Sequence, residues 1–347
     1  FESAFGADYA LGLWITAGVV VVYTLFGGFL AVSLTDFVQG IIMFVALVLL
    51  PVVAFTELGG AVAQPLQAIN PQALDLMGGL TAAAIISSLA WGLGYFGQPH
   101  IIVRFMAVRS VRDIPTMRDI GMSWMGVSLI GALATGLIGA AYAARTGTPV
   151  ADPETIFILL SELLFDPLVT GFLLSALLAA IMSTISSQLL VSSSSLTEDI
   201  YRLYLRREAS QRELVGVGRL CVLVVSLIAI ALAYDPESTV LSLVGNAWAG
   251  FGAAFGPVII LALTWKRFTY AGALAGILVG AATVLFWAYV PVLEGGASLS
   301  SVLYEIVPGF FLAAVAAILV SLLGPPPSPA VVQAFKENEA ERRALTA

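Results

Sequence analysis

The chain is organised as nine apolar stretches, separated by shorter segments that hold most of its charged residues. An α-helix rises 1.5 Å per residue, so about 20 apolar residues cross the hydrocarbon core of a bilayer, which is about 30 Å thick. The pattern therefore predicts an all-α polytopic membrane protein with nine transmembrane helices. The predicted spans lie near 9–27, 35–56, 80–103, 122–144, 168–195, 214–234, 240–264, 271–290 and 303–324.

The distribution of Lys and Arg predicts the orientation of these spans. If the first connection is cytoplasmic, the cytoplasmic segments hold 14 of the 15 basic residues, and only Arg145 lies outside. Membrane proteins concentrate Lys and Arg in their cytoplasmic loops. A missed or added span would place the later basic loops on the wrong side. We therefore expect the start of this chain to lie outside and its C-terminal tail to be cytoplasmic.

Composition supports a membrane protein and excludes several classes of function. Hydrophobic types make up 59 % of the residues and charged types 11 %, whereas soluble domains are about 25 % charged. Binding of nucleic acid is excluded because there is no basic domain or basic-aromatic patch. The single cysteine, Cys221, excludes a disulfide framework, and the single histidine, His100, excludes a His/Cys metal site. The spans hold no nucleophile–base pair, so we expect neither an enzyme nor an organic cofactor.

The second half of the third span contains residues that oppose a continuous helix. Three glycines and a proline occur within nine residues of the sequence WGLGYFGQP (91–99). Because proline lacks a backbone N–H, Pro99 leaves the carbonyl of Tyr95 without its helical donor. One interpretation is an unwound helix whose carbonyls and rings bind a small solute, with Trp91, Tyr95 and Pro99 on one face. The alternative is a proline kink, with the glycines allowing close helix packing.

Hydroxyl groups cluster on one face of the fifth span, which holds Ala180, Ser183, Thr184 and Ser187. Hydroxyl and carbonyl oxygens suit a hard cation. Neutral hydroxyls do not compensate a divalent charge, so Na⁺ is the predicted ion and no other metal is expected. The alternative is packing of small residues, with each serine bonded to the preceding turn of its helix.

Asp36 has two interpretations of equal standing. Ser33 and Asp36 match a Ser-x-x-Asp capping pattern at the cytoplasmic start of the second span. Alternatively, the carboxylate lies at the inner mouth of a pathway and attracts a cation that is leaving.

Two glycine-rich stretches are interpreted as helix-packing surfaces. The first is the segment WAGFGAAFGP (248–257) in the seventh span. The second is the repeat of Gly272, Gly276 and Gly280 in the eighth span. The first stretch also has a second interpretation, as a wall flanking a pathway, but packing is favoured.

Four stretches of the chain resemble a known family of transporters. They are YTLFGGFLAVSLTDFVQ (23–39), WGLGYFGQPHIIVRFMA (91–107), LLSALLAAIMSTISSQLLVSSSSLTEDIYR (173–202) and AWAGFGAAFGP (247–257). On these residues the chain resembles the sodium:solute symporter family, and within it the bacterial sodium/proline symporters. The similarity runs through essentially the whole chain.

The resemblance implies a leucine-transporter-like fold built from two inverted five-helix repeats and additional peripheral helices. The nine spans then correspond to the last nine of thirteen, so the first part of the fold precedes residue 1. The chain is one transporter domain, and a fragment of it. Its parts are the end of the first repeat (9–56), the complete second repeat (80–264), the peripheral helices (271–324) and the cytoplasmic tail (325–347).

The resemblance also implies roles for particular residues. The sodium ligands of the family fall on Ser183 and Thr184, with the carbonyl of Ala180. The residues implicated in binding the substrate fall on Trp91, Tyr95 and Pro99, and an acidic residue on the sodium release path falls on Asp36.

We therefore expect sodium-coupled symport of L-proline into a bacterial cell across its inner membrane. The predicted partners are Na⁺, a small-molecule substrate and membrane lipid, while the oligomeric state is left open. The alternatives are a sodium symporter for another amino acid or small solute, or a transporter-like domain that senses its solute. Because the other broken helix of the family precedes residue 1, a chain of these residues alone is expected not to transport.

Overall fold

The computed structural model describes residues 1–234 and 240–346. Within those residues the secondary structure is helical, apart from an isolated antiparallel bridge between Pro291 and Ser298. The predicted all-α class is therefore confirmed. The α-helices are α1 (Glu2–Phe5), α2 (Tyr9–Glu57), α3 (Ala63–Ile69), α4 (Ala82–Gly94), α5 (Pro99–Met106), α6 (Ile114–Thr146), α7 (Ile156–Leu164), α8 (Pro167–Ser194), α9 (Gln211–Leu232), α10 (Val240–Thr264), α11 (Tyr270–Tyr289), α12 (Ile306–Leu323) and α13 (Pro329–Thr346).

Seven helical segments in the described part of the chain are long and apolar enough to cross a membrane. Large apolar side chains such as Leu89, Leu168 and Leu232 are exposed along the helices, as expected where lipid replaces water. The count of nine spans stays a prediction, because α2 contains two predicted spans and the third predicted span is interrupted. The seven segments are Tyr9–Glu57, Val111–Thr146, Pro167–Leu205, Gln211–Leu232, Val244–Thr264, Tyr270–Tyr289 and Ile306–Leu323.

Helix α2 consists of two helices joined at Gly28. A straight helix of its 49 residues would be about 74 Å long, which is more than twice the thickness of a hydrocarbon core. Gly28 has φ 55° and ψ −154°, a conformation that only glycine adopts without strain. The break lies close to the connection predicted between the first two spans, and the second helix begins directly after it.

One compact unit consists of Phe1–Gly78 and Pro115–Pro236. Its core is made by α2, α6, α7 and α8, and fully buried members include Leu50, Leu160 and Leu173.

Arg145, the basic residue predicted to lie outside, donates hydrogen bonds of 2.6 Å to the carbonyls of Glu57 and Leu58. A cation at these carbonyls stabilises the C-terminal end of α2, so Arg145 has a structural role in this unit.

The second compact unit consists of Gly79–Ile114 and Glu237–Ala347, and its core lies where α4, α10, α11 and α12 meet. The glycine repeat of α11 is buried there. A Cβ on Gly280 would lie 2.6 Å from the carbonyl oxygen of Ala253 on α10, and a Cβ on Gly272 would overlap Ser321 on α12. The predicted packing role of this repeat is confirmed. The tail forms α13, although its last residue, Ala347, lies outside the described residues.

Replacing Gly28 by Ala is expected to destabilise the full-length protein by about 1–3 kcal/mol, because any other residue is strained at a positive φ with ψ near −154°. The measurement is thermal unfolding of the purified protein in detergent. Gly18→Ala is the matched control, since Gly18 has an ordinary helical backbone and a Cβ there would meet no atom within 4 Å. If both variants unfold at the wild-type temperature, Gly28 does not need its conformational freedom.

Candidate functional site

The predicted sodium ligands form a single cluster of oxygens on α8. The hydroxyl of Ser183 donates a hydrogen bond of 3.1 Å to the carbonyl of Ala180, and the hydroxyl of Thr184 donates one of 3.0 Å to the same carbonyl. Ser183 is half-buried and Thr184 is exposed. A hydroxyl whose proton is used in this way turns its lone pairs outward, where they are available to a cation.

These hydrogen bonds are also what the packing interpretation predicts. Serine and threonine in helices commonly donate to a carbonyl three or four residues earlier, and Ser186 does so to the carbonyl of Ser183 at 3.1 Å. The structure brings the three predicted ligands together, but the same bonds would form without an ion. The assignment of sodium to them stays a prediction.

Asp36 contacts the same helix as these hydroxyls. Its Oδ2 accepts a hydrogen bond of 3.2 Å from the hydroxyl of Ser187, one helical turn beyond Ser183. The capping interpretation is wrong, because the helix after Gly28 already includes Ser33 and Asp36 in its interior. Sequence patterns missed this because the capping motif is local, whereas the actual start of the helix is set by the backbone of Gly28.

The third predicted span is broken, as its sequence indicated. Helix α4 ends at Gly94, a turn of 3₁₀-helix covers Tyr95–Gly97, and Gln98 is extended with φ −78° and ψ 114°. Pro99 occupies the first turn of α5, where its missing N–H costs nothing. We expected Trp91, Tyr95 and Pro99 to share one face of a helix. They do not, because a separate helix begins at Pro99.

The two predicted substrate rings differ in their surroundings. Trp91 is half-buried and stacks on two rings, Tyr304 at 5.5 Å and Trp248 at 6.1 Å between centroids. Tyr95 is 44 % exposed and meets Trp248 edge to face, with centroids 4.9 Å apart. Tyr95 therefore offers the more accessible surface, and Trp91 is the better fixed.

Sequence analysis missed the importance of Trp248 and Gln98. Trp248 donates its indole N–H to the carbonyl of Trp91 at 2.9 Å, and its own carbonyl accepts a hydrogen bond of 3.2 Å from the side chain of Gln98. The available signal is the glycine-rich segment that begins at Trp248, for which the sequence favours a packing role. Gln98 carried a weaker signal, a polar side chain directly before a proline in an apolar span.

The candidate residues fall into both compact units. The oxygens of α8 and Asp36 belong to the unit of Phe1–Gly78 and Pro115–Pro236, whereas Trp91, Tyr95 and Pro99 belong to the other. Each unit thus carries one chemically distinct set, oxygens in the first and aromatic rings in the second.

The sequence model of the Sodium:solute symporter family matches residues 1–280. The chain is 59 % identical over 337 residues to the osmoregulated proline transporter OpuE of Bacillus subtilis, covering 96 % of this chain and 68 % of that protein. It is 56 % identical over 341 residues to the high-affinity proline transporter PutP of the same organism, covering 98 % and 71 %. A sodium/proline symporter of Staphylococcus aureus is 52 % identical over 329 residues, covering 93 % and 64 %.

The fold is also found in a solved structure. A Na⁺-coupled sialic acid symporter in a substrate-bound outward-open state superposes with a TM-score of 0.73 at 21 % identity, covering 93 % of this chain and 69 % of that one. This likeness shows a shared fold. The family model matches most of the chain, and the three relatives named above are more than 50 % identical to it over nearly its whole length. The chain therefore belongs to the sodium:solute symporter family, whose members are transporters and not enzymes.

Proposed function

We propose that this chain is part of a sodium-coupled symporter that brings L-proline into a bacterial cell by alternating access. The observation that carries the proposal is identity of 52–59 % to three proteins named as proline transporters or sodium/proline symporters, over 93–98 % of this chain. The broken helix and the oxygen cluster supply the chemistry that such transport requires. In sodium symporters of this general architecture, ligands bind where membrane helices are discontinuous.

The break after Gly94 suits proline as a substrate. Proline combines a compact apolar ring with a zwitterionic amine and carboxylate. The accessible ring of Tyr95 and the better fixed ring of Trp91 provide an apolar wall. The backbone carbonyls around the break and the N-terminal end of α5 would provide groups of opposite partial charge for the amine and the carboxylate.

The oxygens of α8 suit sodium. The carbonyl of Ala180 with the hydroxyls of Ser183 and Thr184 would supply part of a ligand shell for a hard monovalent cation. Asp36, which is hydrogen-bonded one turn away at Ser187, supplies a negative charge that favours a cation on its way to the cytoplasm.

Coupling follows from thermodynamic linkage between the two ligands. If bound Na⁺ tightens the binding of proline, then bound proline tightens the binding of Na⁺ by the same factor. An inside-negative membrane potential adds about 2.3 kcal/mol per charge for each 100 mV. Uptake of a zwitterion against its gradient is then driven by the sodium gradient and the potential together.

The membrane arrangement is proposed in the same way. The basic residues support nine spans in an inner membrane, with an outside start and a cytoplasmic tail. The family fold supports the assignment of 9–56 to the first repeat, 80–264 to the second, 271–324 to peripheral helices and 325–347 to the tail. The chain spans 64–71 % of the three proline transporters it matches.

The transport proposal predicts that the full-length protein in proteoliposomes takes up labelled L-proline when an inward Na⁺ gradient is imposed. Uptake is expected to increase with an inside-negative potential, because a net positive charge enters with each proline. Replacing external Na⁺ by K⁺ is the control. The proposal would be contradicted by proline uptake that does not depend on Na⁺. It would also be contradicted if the protein transports another amino acid but not proline.

The sodium assignment predicts that Ser183→Ala or Thr184→Ala raises the Na⁺ concentration for half-maximal uptake by about tenfold to a hundredfold, since each change removes one oxygen facing a charge. The measurement is Na⁺ titration of proline uptake. Ser175→Ala is the control, because Ser175 lies on α8 with a similar hydrogen bond to a carbonyl three residues earlier, that of Phe172, at 2.6 Å. An unchanged half-saturation in both site variants would remove these residues from the sodium site.

A further inference from the structure

We propose that Trp248 and Gln98 are positioning residues that fix the broken helix, and with it the rings of Trp91 and Tyr95, for binding of proline. This inference rests on the proposed function, because it assigns the substrate to those two rings. It gives a role to the glycine-rich segment of α10, which the sequence presented as a packing surface.

The indole N–H of Trp248 bonds to the helix just before the break. Trp91 lies in the last turn of α4, shortly before the 3₁₀ turn of Tyr95–Gly97. In an apolar environment a polar group without a partner is costly. The hydrogen bond of 2.9 Å to the carbonyl of Trp91 gives the indole N–H of Trp248 its acceptor and ties α10 to α4 at that point.

The carbonyl of Trp248 accepts a hydrogen bond from the chain just after the break. Gln98 is the extended residue between the 3₁₀ turn and α5, and it is 4 % exposed. Its side-chain amide donates a hydrogen bond of 3.2 Å to this carbonyl. One residue of α10 therefore holds both ends of the interruption. A shift of α10 at Trp248 would move the two ends together.

The indole of Trp248 also packs directly on the proposed binding surface. It contacts Tyr95 edge to face at 4.9 Å and stacks on Trp91 at 6.1 Å. A Cβ on Gly94 would overlap this indole, and a Cβ on Gly252 would lie 2.7 Å from the Cα of Gly94. The glycines thus permit the close crossing of α4 and α10 that places Trp248 against both rings.

A second residue restrains Trp91 from the segment just before α12. Tyr304 stacks on Trp91 at 5.5 Å, and its hydroxyl donates to the carbonyl of Gly245 on α10 at 2.7 Å. Trp91 therefore stacks on two rings, that of Trp248, which belongs to α10, and that of Tyr304, which is hydrogen-bonded to the backbone of α10. Tyr95 has a single ring contact among the described residues, with Trp248, so its position is expected to be the more sensitive to loss of Trp248.

The test replaces Trp248 by Phe in the full-length protein, which removes the indole N–H and keeps an aromatic ring. We expect the KM for proline to rise about threefold to tenfold, the equivalent of one hydrogen bond, while kcat changes by less than about twofold, the signature of lost binding rather than lost turnover. The matched control is Trp287→Phe. Trp287 is also half-buried in the same unit and donates its indole N–H to the carbonyl of Leu303 at 2.9 Å, but it makes no ring contact with Trp91 or Tyr95 among the described contacts.

Gln98→Met is the second variant, and it serves equally if Trp248→Phe fails to insert. It removes the amide donor, since Met has no hydrogen-bond donor, and keeps the length of the side chain, so KM should rise in the same direction. Combined with Trp248→Phe, its effect should be less than additive, because both changes break one network. Equal KM values in Trp248→Phe and Trp287→Phe, or a normal KM in Gln98→Met, would overturn the inference. A wild-type protein that does not transport proline would instead refute the proposed function.

Discussion

The structure depends on one constraint, that backbone N–H and C=O groups in a membrane must find their partners within the protein. An uninterrupted helix satisfies this locally, and most of the predicted spans do so. The chain departs from it at Gly28, where a positive φ breaks α2, and at Tyr95–Gln98, where α4 gives way to α5. The second interruption places the polar side chain of Gln98 beside aromatic rings in an otherwise apolar segment. Side-chain hydrogen bonds of Trp248 and Gln98 connect its two ends to α10.

The two candidate ligand sets answer to different chemistry. On α8, hydroxyls repeat at helical spacing without interrupting the helix, because each donates to a carbonyl of the preceding turn. In the proposed role, the helix would present these oxygens to a cation without losing a backbone hydrogen bond. Proline offers an apolar ring and two opposite charges, which no regular helix can satisfy. A broken helix supplies free backbone groups and rings at one depth, and membrane transporters use such breaks for this reason.

Much of this arrangement could be predicted from the sequence, because it is encoded locally. Apolar stretches gave the helices, three glycines with Pro99 gave the break in the third span, and the spacing of Ser183 and Thr184 placed them on one turn. The capping role of Asp36 was predicted wrongly, since a four-residue pattern cannot show that the helix already begins after Gly28.

The contacts of Trp248 with Trp91 and Gln98 join residues about 150 positions apart, and no local pattern reports such a pairing. The segment around Trp248 was noticed for its glycines, and only the fold shows what those glycines allow to approach.

The proposed substrate site at the break Tyr95–Gln98 can be examined by amide hydrogen exchange of the full-length protein in lipid nanodiscs, followed over residues 82–106. We expect the amides at Tyr95–Gln98 to exchange faster than those of α4, and to exchange more slowly once Na⁺ and proline are added together. Exchange at the break that is as slow as in α4 and unchanged by both ligands would mean that proline does not bind there.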